Sequence, residues 1–444
     1  MGASQRNRCT AETNWARVCS WFVFLFFLTA FCVNISGDFM NLFNPQFGYG
    51  SWEISEWLIN YEGGFVRRGI VGQILLAFEH VEIYDVRIAI RLLYVLLSVV
   101  MLLILYRVFK SEGWSPLLLP TGLCVGYTLF NLWGRKDFLM LALTLAIFYC
   151  YRSAITRSSK RMLSWLLLYV LSTLLLLIHE ASFFFTFPIL LLCSYGQFRA
   201  SNLSRSRSAL LSLLQFLPVL VVMAVVCLFK GDKSVADAIW ASWDKVFATY
   251  PAPGNASQIG ASVQAIGWES VSSFGRHFYN AYVGCVNPSP WGVPLALLVM
   301  LSAYYLLTRI NTVTMGRFMP KRVDHTLLSN VALVQFISLL PMFTVLSCDW
   351  GRTLPYWVLS SLFFYHVFHC EAVVFPSVLT RISRTVQNFI SGNRLLRSPY
   401  TYLLLVLLTP VPNYYAPLDH INTIQQRHCL YIHDLINQIA ALFS

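Results

Sequence analysis

The chain has 444 residues, of which 57% are hydrophobic, 15% aromatic and only 12% charged, with a mean hydropathy of +0.60. A water-soluble domain carries about 25% charged residues, so the composition excludes a soluble globular protein and points to a polytopic integral membrane protein. The formal net charge of +12 therefore belongs to loops at a bilayer surface and does not indicate a nucleic-acid partner.

A bilayer crossing needs about 20 mostly apolar residues. Residues 18–35 form the first such segment, behind Arg6, Arg8 and Arg17. The segment is too long for a secretory h-region and lacks a small-x-small cleavage site, so it reads as a retained span. Further candidates follow at 88–108, 116–132, 138–151, 162–178, 181–195, 209–229, 291–307, 327–346, 354–375 and 402–411. The expectation is an all-α helical bundle of 11 transmembrane helices, forming one transmembrane domain over residues 1–444. No repeat or low-complexity linker divides it. The 11 cysteines contain no C-x-x-C pair and sit mostly in apolar segments (Cys19, Cys32, Cys124, Cys150, Cys193 and Cys227). They read as small buried hydrophobes, not as a disulfide framework or a zinc site.

With the N-terminus in the cytoplasm, the inner segments collect 20 of the 32 basic residues and, among the acids, clearly only Glu12, Glu112 and Asp324. Every inner loop is then basic, as the positive-inside rule requires. The outer segments are 37–87, 230–287 and a tail at 413–444. A crossing at 71–81 would invert every later loop, so that stretch is expected to lie on the membrane as an interfacial helix.

This topology sends the unusual polar motifs to the outer face. Residues 56–74, EWLINYEGGFVRRGIVGQI, pair a glycine turn at Gly63 and Gly64 with Arg67 and Arg68. Gly69 and Gly72 let a second body approach the backbone closely. Two guanidiniums beside such a turn suit phosphate oxygens, which arginine grips bidentately; the competing reading is anchorage at lipid headgroups. Arg135 and Lys136 also defy the positive-inside bias, and an anionic ligand would supply a reason for both pairs. His179 and Glu180 interrupt the apolar run LSTLLLLIHEASFFFTFPILLL. A histidine there suits acid, base or phosphate contact, or a hydrogen-bonded structural role. Asp349 and Arg352 are three apart and either pair with each other or hold a phosphate or sugar. Asp38, Glu62 and Asp137 are the candidate general bases, since activating a sugar hydroxyl needs a carboxylate within hydrogen-bond reach. Outer aromatics such as Trp240, Trp243, Tyr250, Trp268 and Tyr279 suit an interfacial belt or pyranose stacking. A P-loop, G-x-G-x-x-G, H-E-x-x-H, G-x-S-x-G and metal-spaced Cys/His clusters are all missing from the sequence.

On Asp38 after the first span, the 37–87 segment, the outer arginines and the HEAS stretch at His179 to Ser182, the chain resembles bacterial membrane proteins that build surface polysaccharide. These are lipid-linked-sugar glycosyltransferases of GT-C architecture and the related O-antigen or exopolysaccharide polymerases. The resemblance implies a GT-C-like bundle in the bacterial cytoplasmic (inner) membrane, with interfacial helices in the first outer loop and a site facing the periplasm. It implies an acidic base in that loop, Asp38 or Glu62, and outer arginines (Arg67, Arg68, Arg135, Arg352) holding a polyprenyl diphosphate. The chain departs from the pattern in lacking a paired acidic dipeptide in its first outer loop. The expected reaction is inverting glycosyl transfer from a polyprenyl-(di)phosphate-linked glycan, for O-antigen, capsule or exopolysaccharide. His179, Glu180, Lys136, Asp349 and Arg352 would position substrate. The partners are membrane lipid, the lipid-linked glycan and other polysaccharide-assembly proteins; no metal or other cofactor is required. The rival expectation is a transporter or flippase for lipid-linked glycan, which would place polar residues along a path through the membrane.

Overall fold

The computed structural model describes residues 14–29, 31–32, 49–81, 85–125, 135–157, 159–250, 259–267, 292–313, 315, 323–344, 346, 350–369, 371 and 373–409, and among them there is no β-strand. Asp38, Trp268, Tyr279, Asp349 and the tail 413–444 lie outside the described residues, as do 37–48 and 82–84 of the first outer segment and 251–258 and 268–287 of the second.

In chain order the helices used below are α1 (Asn14–Thr29), α2 (Trp52–Trp57), α3 (Gly69–Leu76), α4 (Val86–Glu112), α5 (Asp137–Thr156), α6 (Arg161–Ile178), α7 (Ser182–Ala200), α8 (Arg205–Gln215) and α9 (Leu217–Leu228). They continue with α10 (Lys233–Ala241), α11 (Asp244–Thr249), α12 (Ala261–Gln264), α13 (Gly292–Thr308), α14 (His325–Thr344), α15 (Trp350–Phe368), α16 (Ser377–Gly392) and α17 (Pro399–Leu408). Four of them, α4, α5, α6 and α14, are long and apolar enough to cross a membrane, and α8 with α9 would make a fifth as one bent span. Helix α4 shows the local logic. The Asp85 side chain accepts the Arg87 amide at its start, and Gly113 ends it in the left-handed conformation at φ 66°. At 1.5 Å per residue its 27 residues reach ~40 Å, longer than a hydrocarbon core of ~30 Å.

Several apolar segments fold differently from their sequence reading. Residues 209–229 form two helices bent by 62° at Phe216. Pro218, in the first turn of α9, has no amide to donate and crowds the carbonyl of Leu214, so a continuous helix is blocked there. The described part of 116–132 is a 3₁₀ turn at Pro116–Leu118 followed by further turns. Pro116 and Pro120 remove amides, and the Thr121 hydroxyl donates to the Leu118 carbonyl at 2.7 Å in place of a helical bond. Helix α17 has 10 residues, short of a crossing.

The core is built around α15. Leu354, Trp357, Leu359, Phe363 and Phe364 are all buried on it, and a helix apolar on every side belongs in the interior. It packs on α14 and α5, and Trp357 Nε1 donates to the Ala332 carbonyl at 2.7 Å. Polar side chains stitch the neighbours: Gln335 Nε2 on α14 donates to the Phe185 carbonyl of α7 at 2.9 Å, and Thr144 and Thr186 join α5 to α7 at 2.8 Å. Such interhelical bonds contribute about 0.6 kcal/mol each inside a bilayer.

At one end of the bundle the segments around α2–α3 and α10–α12 interlock into a cap. Trp243 Nε1 donates to the Leu58 carbonyl at 2.9 Å, Asn60 Nδ2 to Ser242 Oγ at 2.8 Å, and the Arg67 amide to the Phe229 carbonyl at 3.0 Å. Gly72 and Gly63 allow the chain's own close approach. A Cβ at Gly72 would stand 2.0 Å from the Ile59 oxygen, and one at Gly63 would stand 2.8 Å from the Val235 oxygen. Helix α3 has 8 residues, ~12 Å long, and cannot cross a bilayer.

Candidate functional site

Under this cap three turns of the bundle meet the first interhelical segment. They are the start of α5, the α6–α7 junction and the start of α15. Because α5 and α6 are antiparallel neighbours, their Lys136–Asp137 and His179–Glu180 ends fall together. Packing of α15 on α5 adds Arg352.

The side chains form one ionic cluster. Arg135 Nε donates to Glu56 Oε2 at 3.1 Å, with the two side chains 3% and 0% exposed. Arg352 Nε reaches both Asp137 oxygens at 3.0 and 3.2 Å, Arg352 Nη2 reaches Oδ1 at 2.6 Å, and the Tyr356 hydroxyl donates to the same Oδ1. Phe185 stacks on the Tyr356 ring at 4.7 Å. Arg68 grips Glu180 bidentately, through Nε to Oε2 at 2.9 Å and Nη2 to Oε1, while Arg67 Nη1 donates to Oε1 at 3.2 Å. Lys136 Nζ donates to the Arg68 carbonyl at 3.2 Å and lies 5.7 Å above the Trp57 ring. Arg68 itself has φ 66°, a left-handed conformation that a residue with a side chain adopts only when its surroundings impose it.

His179 sits between the two glutamates. Burial, and then the charge of Arg68, push its imidazole well below the ordinary histidine value, so it is neutral. The Ala181 amide donates to Nδ1 at 3.2 Å, which leaves the proton on Nε2, 3.8 Å from Glu56 Oε1. That Oε1 is buried and has no hydrogen-bond partner among the described residues. Burial alone would raise the Glu56 carboxyl, yet Arg135 and Arg352 hold it well below the usual carboxylate range. Glu180 behaves alike: burial raises it, and Arg68 ahead of the other cations more than reverses this. Burial pushes the Lys136 ammonium down to about 8, against the pull of Glu56.

Five cations (Arg67, Arg68, Arg135, Lys136, Arg352) thus face three carboxylates (Glu56, Asp137, Glu180), an excess of two positive charges among these described residues. The inner members are sealed, whereas the side chains of Arg67 and Arg68 are 30% and 21% exposed. The cluster can therefore take an anion at its arginine rim, where the desolvated positive excess favours one.

Of the residues expected from sequence to form a site, Arg67, Arg68, Arg135, Lys136, Asp137, His179, Glu180 and Arg352 come together, with Asp137 taken up by Arg352. Arg67 and Arg68 do not form an open cradle, because Glu180 fills the fork. Glu62 is not in the cluster. It is exposed, and its Oε1 accepts from Gln73 Nε2 at 3.2 Å. Arg352 is engaged by Asp137, 215 residues away. Glu56 was missed as a site residue although it opens the polar stretch, and Tyr356 was missed because nothing in an aromatic-rich helix marks one ring as special. Among the described residues no group of three or more His, Cys, Asp or Glu side chains is arranged to hold a metal.

A family model described as "Uncharacterised membrane protein Rv1490" matches residues 26–259, just over half of the chain. The match covers every member of the cluster except Arg352 and Tyr356. No curated protein and no solved structure matches the chain.

Proposed function

The chain belongs to the family of the uncharacterised membrane protein Rv1490, and from that premise we propose that it is a membrane glycosyltransferase or polysaccharide polymerase. It would use a polyprenyl-(di)phosphate-linked sugar at the outer face of a bacterial inner membrane, in a GT-C-like multi-span helical bundle with its N-terminus in the cytoplasm. The observation that carries the reading is the buried cluster with two more cations than carboxylates at one end of the bundle, its arginine rim partly exposed.

In this scheme an acceptor hydroxyl attacks the anomeric carbon and the sugar–phosphate bond breaks. The lipid (di)phosphate leaves with the bonding pair. Arg67 and Arg68 exchange Glu180 for the phosphate and stabilise the charge that develops on it. Released Glu180 stays beside neutral His179, whose Nδ1 is 3.6 Å from Glu180 Oε2. The hydroxyl proton goes to a carboxylate, which in this reading is Asp38. A phosphate is already a good leaving group, so no general acid is needed.

The test compares surface polysaccharide and its lipid-linked precursors in cells lacking the gene, complemented with wild type, Arg68→Ala or Asp38→Asn at matched expression. The expected result is arrested chain growth in both variants while complete lipid-linked units still reach the outer face. Units trapped facing the cytoplasm would replace this reading with a flippase. Wild-type glycan from both variants would end it.

A further inference from the structure

At the opposite end of the bundle, α16 does not run with the spans. Just before it, Val374 lies against the terminal part of α7, where a Cβ on Gly196 would stand 2.3 Å from the Val374 oxygen. Its far end is held by Arg309, just beyond α13, whose Nη2 donates to Ser391 Oγ at 2.7 Å. The following turn is held by Tyr305, whose hydroxyl donates to the Leu396 carbonyl at 2.6 Å. Both anchor points are the ends of α7 and α13 remote from the cap. A helix of 16 residues, ~24 Å long, therefore lies across that end of the bundle.

Its surface divides into three stripes. Ser383, Gln387 and Ile390 are buried, on a helix that packs against α14. About a third of a turn away, at 100° per residue, Val378, Ile382 and Phe389 form an apolar stripe that is 66%, 45% and 65% exposed. The remaining third carries exposed Arg381 and Arg384. Residues 373–409 hold four arginines, with Arg394 and Arg397 completing the set, and no Asp or Glu. Protein on one side, exposed hydrocarbon below and cations at the edge describe a helix half-sunk in a bilayer surface.

We infer that α16 and the turn after it are a lipid-binding surface, seated in the headgroup layer of the leaflet opposite the ionic cluster and selective for anionic phospholipid. The apolar stripe enters the acyl region, while Arg381, Arg384, Arg394 and Arg397 meet the headgroup phosphates. A protein partner is disfavoured by the position, since a stripe at the bilayer edge of a membrane-spanning bundle faces lipid. The inference does not depend on glycosyl transfer.

The full chain is reconstituted into bilayer discs of phosphatidylcholine containing a minor fraction of phosphatidylglycerol, with p-benzoylphenylalanine in place of Phe389. After irradiation, adduct masses identify what touches the stripe. Phospholipid adducts enriched in phosphatidylglycerol beyond its share of the disc are expected. Each arginine lost in Arg381→Gln and Arg384→Gln should lower that enrichment about fivefold, with phosphatidylcholine adducts persisting to show that the helix is still seated. Adducts that follow disc composition in the wild type, or that join a second protein chain, overturn the inference. So does enrichment abolished by inorganic phosphate, which would mark a free-anion site, and so does loss of all lipid adducts in the arginine variants.

Discussion

Glu56 and Arg135 stand 79 residues apart in sequence and form an ion pair with Oε2 and Nε 3.1 Å apart. Neither side chain reaches solvent, so the pair ties α2 of the cap to the start of α5 in a place where water cannot substitute for either partner. The same logic recurs at Asp137 with Arg352.

Breaking such a pair from one side leaves a buried charge uncompensated. Glu56→Gln and Arg135→Ala should each lower stability by about 3–5 kcal/mol, and the double replacement Glu56→Leu with Arg135→Leu should recover most of that loss. Thermal unfolding in one detergent, single variants against double, measures it. Equal losses in all three variants would mean that packing matters at these positions and charge does not.

Lys136 is pushed by burial from its ordinary value of 10.5 to about 8. Between these values the unfolded chain binds the proton that the folded chain has released. This group therefore makes stability rise with pH from about 8 to about 10.5, with its full penalty present below that window. Lys136→Met removes the term. The difference in melting temperature, variant minus wild type, should be largest near neutrality and shrink across the window. A difference that is flat with pH would show Lys136 to be unperturbed.

Arg68 combines a left-handed backbone with a bidentate grip on Glu180. Arg68→Ala and Arg68→Gly lose the grip equally, but only glycine is at ease at positive φ. The glycine variant should be more stable than the alanine variant by ~1 kcal/mol, and both should lose anion binding at the rim. Alanine equal to or better than glycine would show that the backbone there is not strained.

Gly72 and Gly392 make a matched contrast. A Cβ at Gly72 meets the Ile59 oxygen at 2.0 Å, whereas one at Gly392 meets nothing within 4 Å. Gly72→Ala should give no monodisperse protein, while Gly392→Ala, at the end of α16, should be neutral or stabilise by about 0.5–1 kcal/mol. Size-exclusion profiles after identical purification distinguish them, and a well-behaved Gly72→Ala would refute the close approach of α3 to the α2 segment.

Composition and hydropathy alone determined that this is a helical membrane protein, because a chain with 12% charged residues cannot cover itself for water. Local chemistry also marked Arg67, Arg68, Arg135, Lys136, His179, Glu180 and Arg352, since charges beside apolar runs carry a desolvation cost that only a partner offsets. Which partner each one has was decided by tertiary structure. Glu56 meets Arg135 and Asp137 meets Arg352 only because antiparallel helices bring the ends of distant segments to one level, and no spacing along the chain encodes that. The break at Phe216 and the turns after Pro116 were written locally in their prolines, yet mean hydropathy does not register them. The placing of α16 is tertiary again: its three stripes are legible at helical periodicity, but which stripe meets protein was decided by where α7, α13 and α14 end.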